Sequence, residues 1–187
     1  MLVLQIYLFL GLIVHKVIWE VLRKKGKERP VETRSFSLRA IKAVKVAILL
    51  LILIQIWVPD VFPILERPWL LRIAGAAIYA VGLLTAVAAR FQLGENWANI
   101  ETGQVLTRQS VVTRGIYSYV RHPIYVGDLL LLLGLEIALN SWLVLGILIL
   151  APIVILKAME EERMLTEKLP GYDAYCQHSK RFVPFVF

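Results

Sequence analysis

Two short polar clusters in an otherwise apolar chain hold the side chains with chemical capacity. The first, Tyr117-Ser-Tyr-Val-Arg-His-Pro-Ile-Tyr-Val-Gly127, sets Arg121 and His122 directly before Pro123 and adds Tyr117, Tyr119 and Tyr125. Proline is favoured at the first position of a helix, where its missing N–H is no loss and its ring fixes φ in advance. His122 and Arg121 then stand at a helix N-terminus, whose open amides and positive dipole end favour a carboxylate or a phosphate. A plainer reading makes Arg121 an interface anchor, His122 a cap and the tyrosines an aromatic belt. The density of donor and π groups beside Gly127, a residue that lets another group approach closely, speaks for a site.

The second cluster is Lys157-Ala-Met-Glu-Glu-Glu-Arg163. Lys157 and Glu161 are one helical turn apart and can touch the same ligand, whereas Glu160 to Glu162 taken alone read as a solvated face. Asp128 and Glu136 fall within an apolar stretch, where carboxylates are functional candidates; Glu136, close to a turn, reads as one that reaches back toward the interface. His15 reads as a packed or interface histidine, and the lone Cys176 as a bystander thiol. The chain has no HExxH, paired-cysteine, P-loop, GxSxG or GxGxxG pattern, so metal-assisted hydrolysis, serine nucleophiles and a Rossmann cofactor site have no support.

The elements that carry these clusters follow from hydropathy. Of 187 residues, 58% are hydrophobic and the mean hydropathy is +0.68, well above the roughly 45–50% apolar content of soluble domains. Four apolar stretches supply the excess: Leu2 to Leu22, Ala40 to Val58, Trp69 to Ala89, and Ile124 to Leu156. A membrane helix needs about 20 such residues, and the first three qualify. Asn140-Ser141, a turn-forming pair, divides the fourth into arms of about 15 residues each, a short helical hairpin. The fold class is therefore all-α, a polytopic integral membrane protein of about five transmembrane helices, with four as the alternative count. The first stretch runs straight into Arg23-Lys24-Lys25 with no cleavage pattern and reads as a retained helix.

Charge sets the expected orientation. Arg23, Lys24, Lys25, Lys27, Arg29, Arg34 and Arg39 lie between the first two apolar stretches, and basic connections stay in the cytoplasm. The segment 90–122 and the tail from Lys157 then fall on that same side, so both polar clusters meet at one cytoplasmic rim. A pI near 9.7 with basic residues at helix exits points to anionic lipid headgroups, not nucleic acid. Residues 1–90 read as a three-helix scaffold and 91–187 as the catalytic half of a single domain. Pro170-Gly171 should end the tail helix, a short amphipathic piece with Tyr172 and Tyr175 should follow, and Arg181, Phe182, Phe185 and Phe187 suit the interface.

"LGENWANI", "SVVTRGIYSYVRHPIYVG", the short hairpin, "EERMLTEKLPGYDAY" and "RFVP", in this order, resemble the isoprenylcysteine carboxyl methyltransferase family over about Gln92 to Pro184. The resemblance implies methyl transfer from S-adenosylmethionine to the carboxylate of a lipophilic acceptor that enters from the bilayer, with no metal. By position it implies that Gln109, Ser110, Val111, Val112, Tyr117, His122, Pro123, Ile124 and Tyr125 line the cofactor pocket and that Glu161 binds the cofactor. It also implies that Lys157 binds substrate and, with Arg121 and His122, forms the catalytic group. The family usually has arginine where this chain has Lys157, and a lysine cannot grip a carboxylate in bidentate fashion. Other membrane enzymes resemble this half too: phospholipid N-methyltransferases, where His122 or Glu161 could serve as base, and NADPH-dependent sterol reductases, which commonly have asparagine where Ile124 stands. A non-enzymatic membrane adaptor completes the alternatives.

Overall fold

A computed structural model describes residues 1–25, 36–96 and 109–185 of the chain. Its helices are α1 (Leu2–Lys25), α2 (Phe36–Trp57), α3 (Trp69–Leu93), α4 (Pro123–Ala138), α5 (Gly146–Lys168) and the short α6 (Tyr172–His178). Single 3-10 turns at Gly94–Asn96, Gly115–Ser118 and Trp142–Leu145 join them, and no strand occurs among the described residues. Most of the basic connection after α1, the part of the polar loop at 97–108, and Phe187 lie outside the described residues.

The segments Leu2–Arg23, Trp69–Asn96 and Trp142–Lys168 are long and apolar enough to cross a bilayer. The apolar part of α2, Ala43–Trp57, is shorter. The 16 residues of α4 reach only about 24 Å at 1.5 Å per residue, against a hydrocarbon core of roughly 30 Å. Among the described residues, α1 to α5 follow the expected order of apolar stretches, but spanning length is distributed differently: the second stretch falls short of it, and the second hairpin arm, expected at about 15 residues, has it. Large apolar side chains such as Leu84, Leu148 and Ile149 point outward, as they must where the surrounding solvent is lipid.

The antiparallel pair α3–α4 forms the centre of the bundle, and glycine sets its closeness. Gly75 and Gly82 on α3 face Ala138 and Leu131, while Gly127 and Gly134 on α4 face Ala86 and Tyr79. A methyl group at any of these four would collide with the backbone opposite. Membrane helices gain little from hydrophobic exclusion, so small residues that bring backbones together supply much of their attraction. Gly127 lets another group approach closely, as its type implies, and that group is helix α3 at Ala86. Across this pair, Tyr79 donates its hydroxyl to the Leu8 carbonyl of α1 at 2.7 Å, and Leu8, Leu12, Ile56, Leu131 and Leu135 close the core around it.

The hairpin turns where expected. Asn140 takes a left-handed conformation (φ 57°), which asparagine tolerates better than most residues. Its side chain accepts from the Ile64 and Leu65 amides and donates to Asp60 and to the Leu65 carbonyl, fastening the α2–α3 loop to the turn. Asp60 in turn holds Arg72 at 2.7–2.8 Å. Glu136 departs from expectation: its carboxyl does not reach for the interface but is buried, accepting from Gln55 Nε2 at 2.8 Å. These bonds lock the end of the bundle remote from the two polar clusters.

Candidate active site

At the other end, α4 starts with Pro123 in its first turn and His122 as the cap residue. The His122 ring makes no capping bond; it turns toward α5, Nε2 lying 3.0 Å from Glu162 and Nδ1 3.5 Å from Glu161. Tyr125 stacks on the ring at 5.4 Å between centroids, Phe182 leans against it at 5.7 Å, and the Tyr125 hydroxyl donates to Glu161 at 3.2 Å. The two clusters therefore meet, as the sequence implied, around one imidazole.

Glu162 is the residue that sequence reasoning missed. Its carboxylate accepts from Arg121 Nε at 2.7 Å, from Arg181 at 2.7 and 3.0 Å, and sits against His122. Successive helix residues point about 100° apart, so Glu161 and Glu162 serve different surfaces. Glu161 looks into a cleft and Glu162 looks at the tail. The tail is held further by backbone bonds: Arg121 N donates to Lys180 O at 2.8 Å, His122 N to Arg181 O at 3.1 Å, and Lys180 N to Tyr119 O at 2.9 Å. Arg121 also donates to the Cys176 and Ser179 carbonyls. The hydroxyl of Tyr175 donates to Tyr117 O at 2.7 Å.

The wall opposite α5 is an extended run, 109–113, placed by two side chains of the α3 end. Asn96 Oδ1 accepts from both the amide and the hydroxyl of Ser110, and Gln92 Oε1 accepts from the Ile116 amide at 2.8 Å. Arg90 braces the turn that carries Asn96 by donating to Gly94 O at 2.8 Å.

Between these walls opens a cleft of about 720 Å³, counting solvent at its mouth. Gln109, Ser110, Val111, Val112, Tyr117, Arg121, His122, Ile124, Tyr125 and Glu161 all line it, as the resemblance implied. Leu93, Asn96, Leu165, Leu169, Tyr172 and Tyr175 complete the lining and had not been singled out for it. Pro123 is buried as the start of α4 and is not on the cleft wall. Lys157 is exposed and also lies off the wall. Its four-residue spacing from Glu161 gives nearness along the helix without giving access to the cleft.

Burial dominates the electrostatics here. It pushes the Tyr117 and Tyr172 hydroxyls well above the ordinary tyrosine range and Tyr175 up to about 12, so all three remain hydrogen-bond donors at neutral pH. Burial likewise raises the Cys176 thiol, an unreactive setting. The Glu162 carboxylate holds Arg181 above its usual value. Among the described residues no three His, Cys, Asp or Glu side chains come together to hold a metal.

With this geometry in place, comparison with known proteins is informative. Residues 70–170, more than half the chain, match the phospholipid methyltransferase family. The chain is 31% identical over 112 residues to the nickel-cobalt-cadmium resistance protein NccN of Alcaligenes xylosoxydans xylosoxydans, covering 58% of this chain and 51% of that one. It is 36% identical over 77 residues to the cobalt-zinc-cadmium resistance protein CzcN of Cupriavidus metallidurans, covering 40% and 36%. These matches span about half of the first relative and about a third of the second. In fold, the chain is similar to the eukaryotic intramembrane Ras methyltransferase, isoprenylcysteine carboxyl methyltransferase, with a TM-score of 0.63 and 22% identity over 93% of this chain and 63% of that one.

Proposed function

This chain belongs to the phospholipid methyltransferase family, and on that premise we propose that it uses S-adenosylmethionine to methylate the amine of a membrane lipid headgroup. The cleft suits such a donor. Its walls combine apolar and aromatic side chains with a few convergent polar groups, the lining usual for small-molecule sites. Tyrosine faces suit an adenine ring and a sulfonium cation, and the Glu161 carboxylate complements the donor's cationic end. When bound, S-adenosylmethionine supplies a methyl group on a sulfonium, open to in-line displacement by a nucleophile.

The observation that carries the choice of acceptor is the fate of the two cations. A carboxylate acceptor needs a positive group to hold it. Lys157 lies off the cleft wall, and Arg121 is engaged by Glu162 and two carbonyl oxygens. An amine needs something different: it must shed a proton before its lone pair can attack. Glu161 stands in the cleft wall to take that proton, with His122 Nδ1 3.5 Å behind it. His122 itself is engaged by Glu161 and Glu162, which makes it a support for Glu161. The apolar remainder of the acceptor stays in lipid, so alignment and a dry cleft carry the rest of the catalysis.

A second reading, O-methylation of a lipophilic carboxylate such as an S-prenylcysteine, is favoured by the likeness in fold to the Ras methyltransferase. In either case the basic connection after α1 supports a cleft facing the cytoplasm and contact with anionic headgroups.

The test offers a radiolabelled methyl donor to the purified protein in lipid nanodiscs containing phosphatidylethanolamine or a prenylcysteine analogue. Base-stable label on the phospholipid, with Lys157→Ala leaving its KM unchanged, is the expected result. Base-labile label on the analogue alone would replace the amine reading with the carboxylate one. Binding of NADPH without binding of the methyl donor would overturn both.

A further inference from the structure

A second polar site sits one turn below the cleft. His15 Nε2 of α1 and Asp128 Oδ1 of α4 lie 3.0 Å apart, and Trp19 stacks on the imidazole at 4.0 Å between centroids. Asp128 is followed by the apolar run Leu129 to Leu133, and His15 is flanked by Val14 and Lys16. A carboxylate at membrane depth is costly unless it serves a purpose. As a mere staple between helices it should be sealed, yet 40% of the Asp128 side chain is exposed. Among the described residues His15 is its one partner.

The position of the pair is informative. Asp128 follows the cleft-lining Ile124 by four residues and so lies beneath it on the same face of α4. It is five residues past the start of α4, about 7.5 Å along the axis, in the part of that helix nearest the cleft. On the other side, α1 reaches the Gly94–Asn96 turn, whose Asn96 lines the cleft. α1 and α4 each pack on α3, and the pair joins them at the end of the bundle that carries the cleft.

We propose that the His15–Asp128 pair is a headgroup subsite that captures the ammonium of an aminophospholipid and presents it to the cleft, an inference that rests on the amine reading above. The exposed carboxylate makes a charge-assisted hydrogen bond to the ammonium, roughly twice as strong as a neutral one. His15 fixes the carboxylate's orientation, and Trp19 fixes His15. No covalent step occurs there. Zwitterionic or anionic lipids without an N–H donor are passed over.

Trp19 makes the subsite observable apart from catalysis. Full-length protein in detergent micelles is titrated with phosphatidylethanolamine, and separately with phosphatidylglycerol, while tryptophan fluorescence is recorded; the signal from a Trp19→Phe variant is subtracted. Methyl incorporation is followed in parallel. The inference expects a saturable Trp19 response to phosphatidylethanolamine alone. Asp128→Asn, which keeps an oxygen to accept from His15, should shift that response at least tenfold to higher lipid while leaving S-adenosylmethionine affinity and thermal stability unchanged. An equal response to phosphatidylglycerol, or no shift in Asp128→Asn, overturns the subsite even if phosphatidylethanolamine is methylated. An Asp128-dependent response with no methyl transferred to the lipid upholds the subsite and overturns the amine reading alone.

Discussion

Glu162→Gln is the sharpest perturbation of the site because it leaves the shape of the side chain and removes only its charge. The wild-type carboxylate receives three N–H bonds from Arg121 and Arg181 at 2.7–3.0 Å and lies 3.0 Å from His122 Nε2, and its side chain is only 10% exposed, as is that of Arg121. Removing one partner of a buried ion pair costs about 3–5 kcal/mol, since the charges left behind lose both partner and water. Arg181 is 22% exposed and can recover some hydration, which places the expected loss near the lower figure. The loss falls on the tail, so the whole protein need not unfold: the ladder joining Lys180 and Arg181 to Tyr119, Arg121 and His122 opens as a unit. At about 1.4 kcal/mol per factor of ten, 3 kcal/mol accelerates amide exchange at these positions roughly 10²-fold. Hydrogen–deuterium exchange with mass spectrometry on peptides covering 117–122 and 175–182, in detergent at fixed pH, measures it. If those peptides keep wild-type protection while Glu162→Gln is folded, the hub of Arg121, Arg181 and His122 around Glu162 is not what holds the tail.

Three further outcomes follow from the same geometry. Glu161→Gln should weaken S-adenosylmethionine binding about 10- to 100-fold by calorimetry, the equivalent of one charge-assisted bond, without changing exchange in the tail. Gly134→Leu should drive a side chain into the α3 backbone at Tyr79, destabilising by about 3 kcal/mol or more and showing as loss of monodisperse protein in detergent; Leu133→Ala, at a half-buried position beside it, should be mild by comparison. Burial raises Tyr175 from 10.0 to about 12, so its contribution to tail stability is complete below pH 10 and declines as pH rises toward 12. Tail exchange should accelerate over that window beyond the intrinsic base-catalysed rate, and Tyr175→Phe, already lacking the bond to Tyr117 O, should not show the extra rise.

Local rules made much of this architecture readable. Asn140-Ser141 announced the hairpin because a turn pair in a long apolar run has few other uses, and Pro123 announced the start of α4 because proline tolerates the first turn. His122 and Glu161 could be brought to one cleft from topology plus resemblance. Glu162 could not, because register tells which way a side chain points and not what a folded tail will set against it. At Gly127 the close approach was legible but the partner was left open: glycines seven apart on both α3 and α4, 75 and 82 against 127 and 134, are a packing stripe for two helices. The pairing of His15 with Asp128, 113 residues apart, had no local trace at all.

The cleft's charge distribution ties the assignments together. Arg121 and Arg181 both direct donors to Glu162, and Arg121 directs others to carbonyl oxygens of the tail, so the positive groups nearest the cleft are screened by acceptors on its far side. Glu161 is left facing the open volume with Tyr125, and Asp128 waits one turn below on the same helix face as Ile124. Such a site attracts cations. A sulfonium donor and an ammonium acceptor are both cations and would repel each other at short range, by about 1 kcal/mol at 4 Å in water and several times that in a partly dry site. On the amine reading, two carboxylates, Glu161 at the proposed donor and Asp128 on the proposed route of the acceptor, would let both approach before the acceptor gives up its proton.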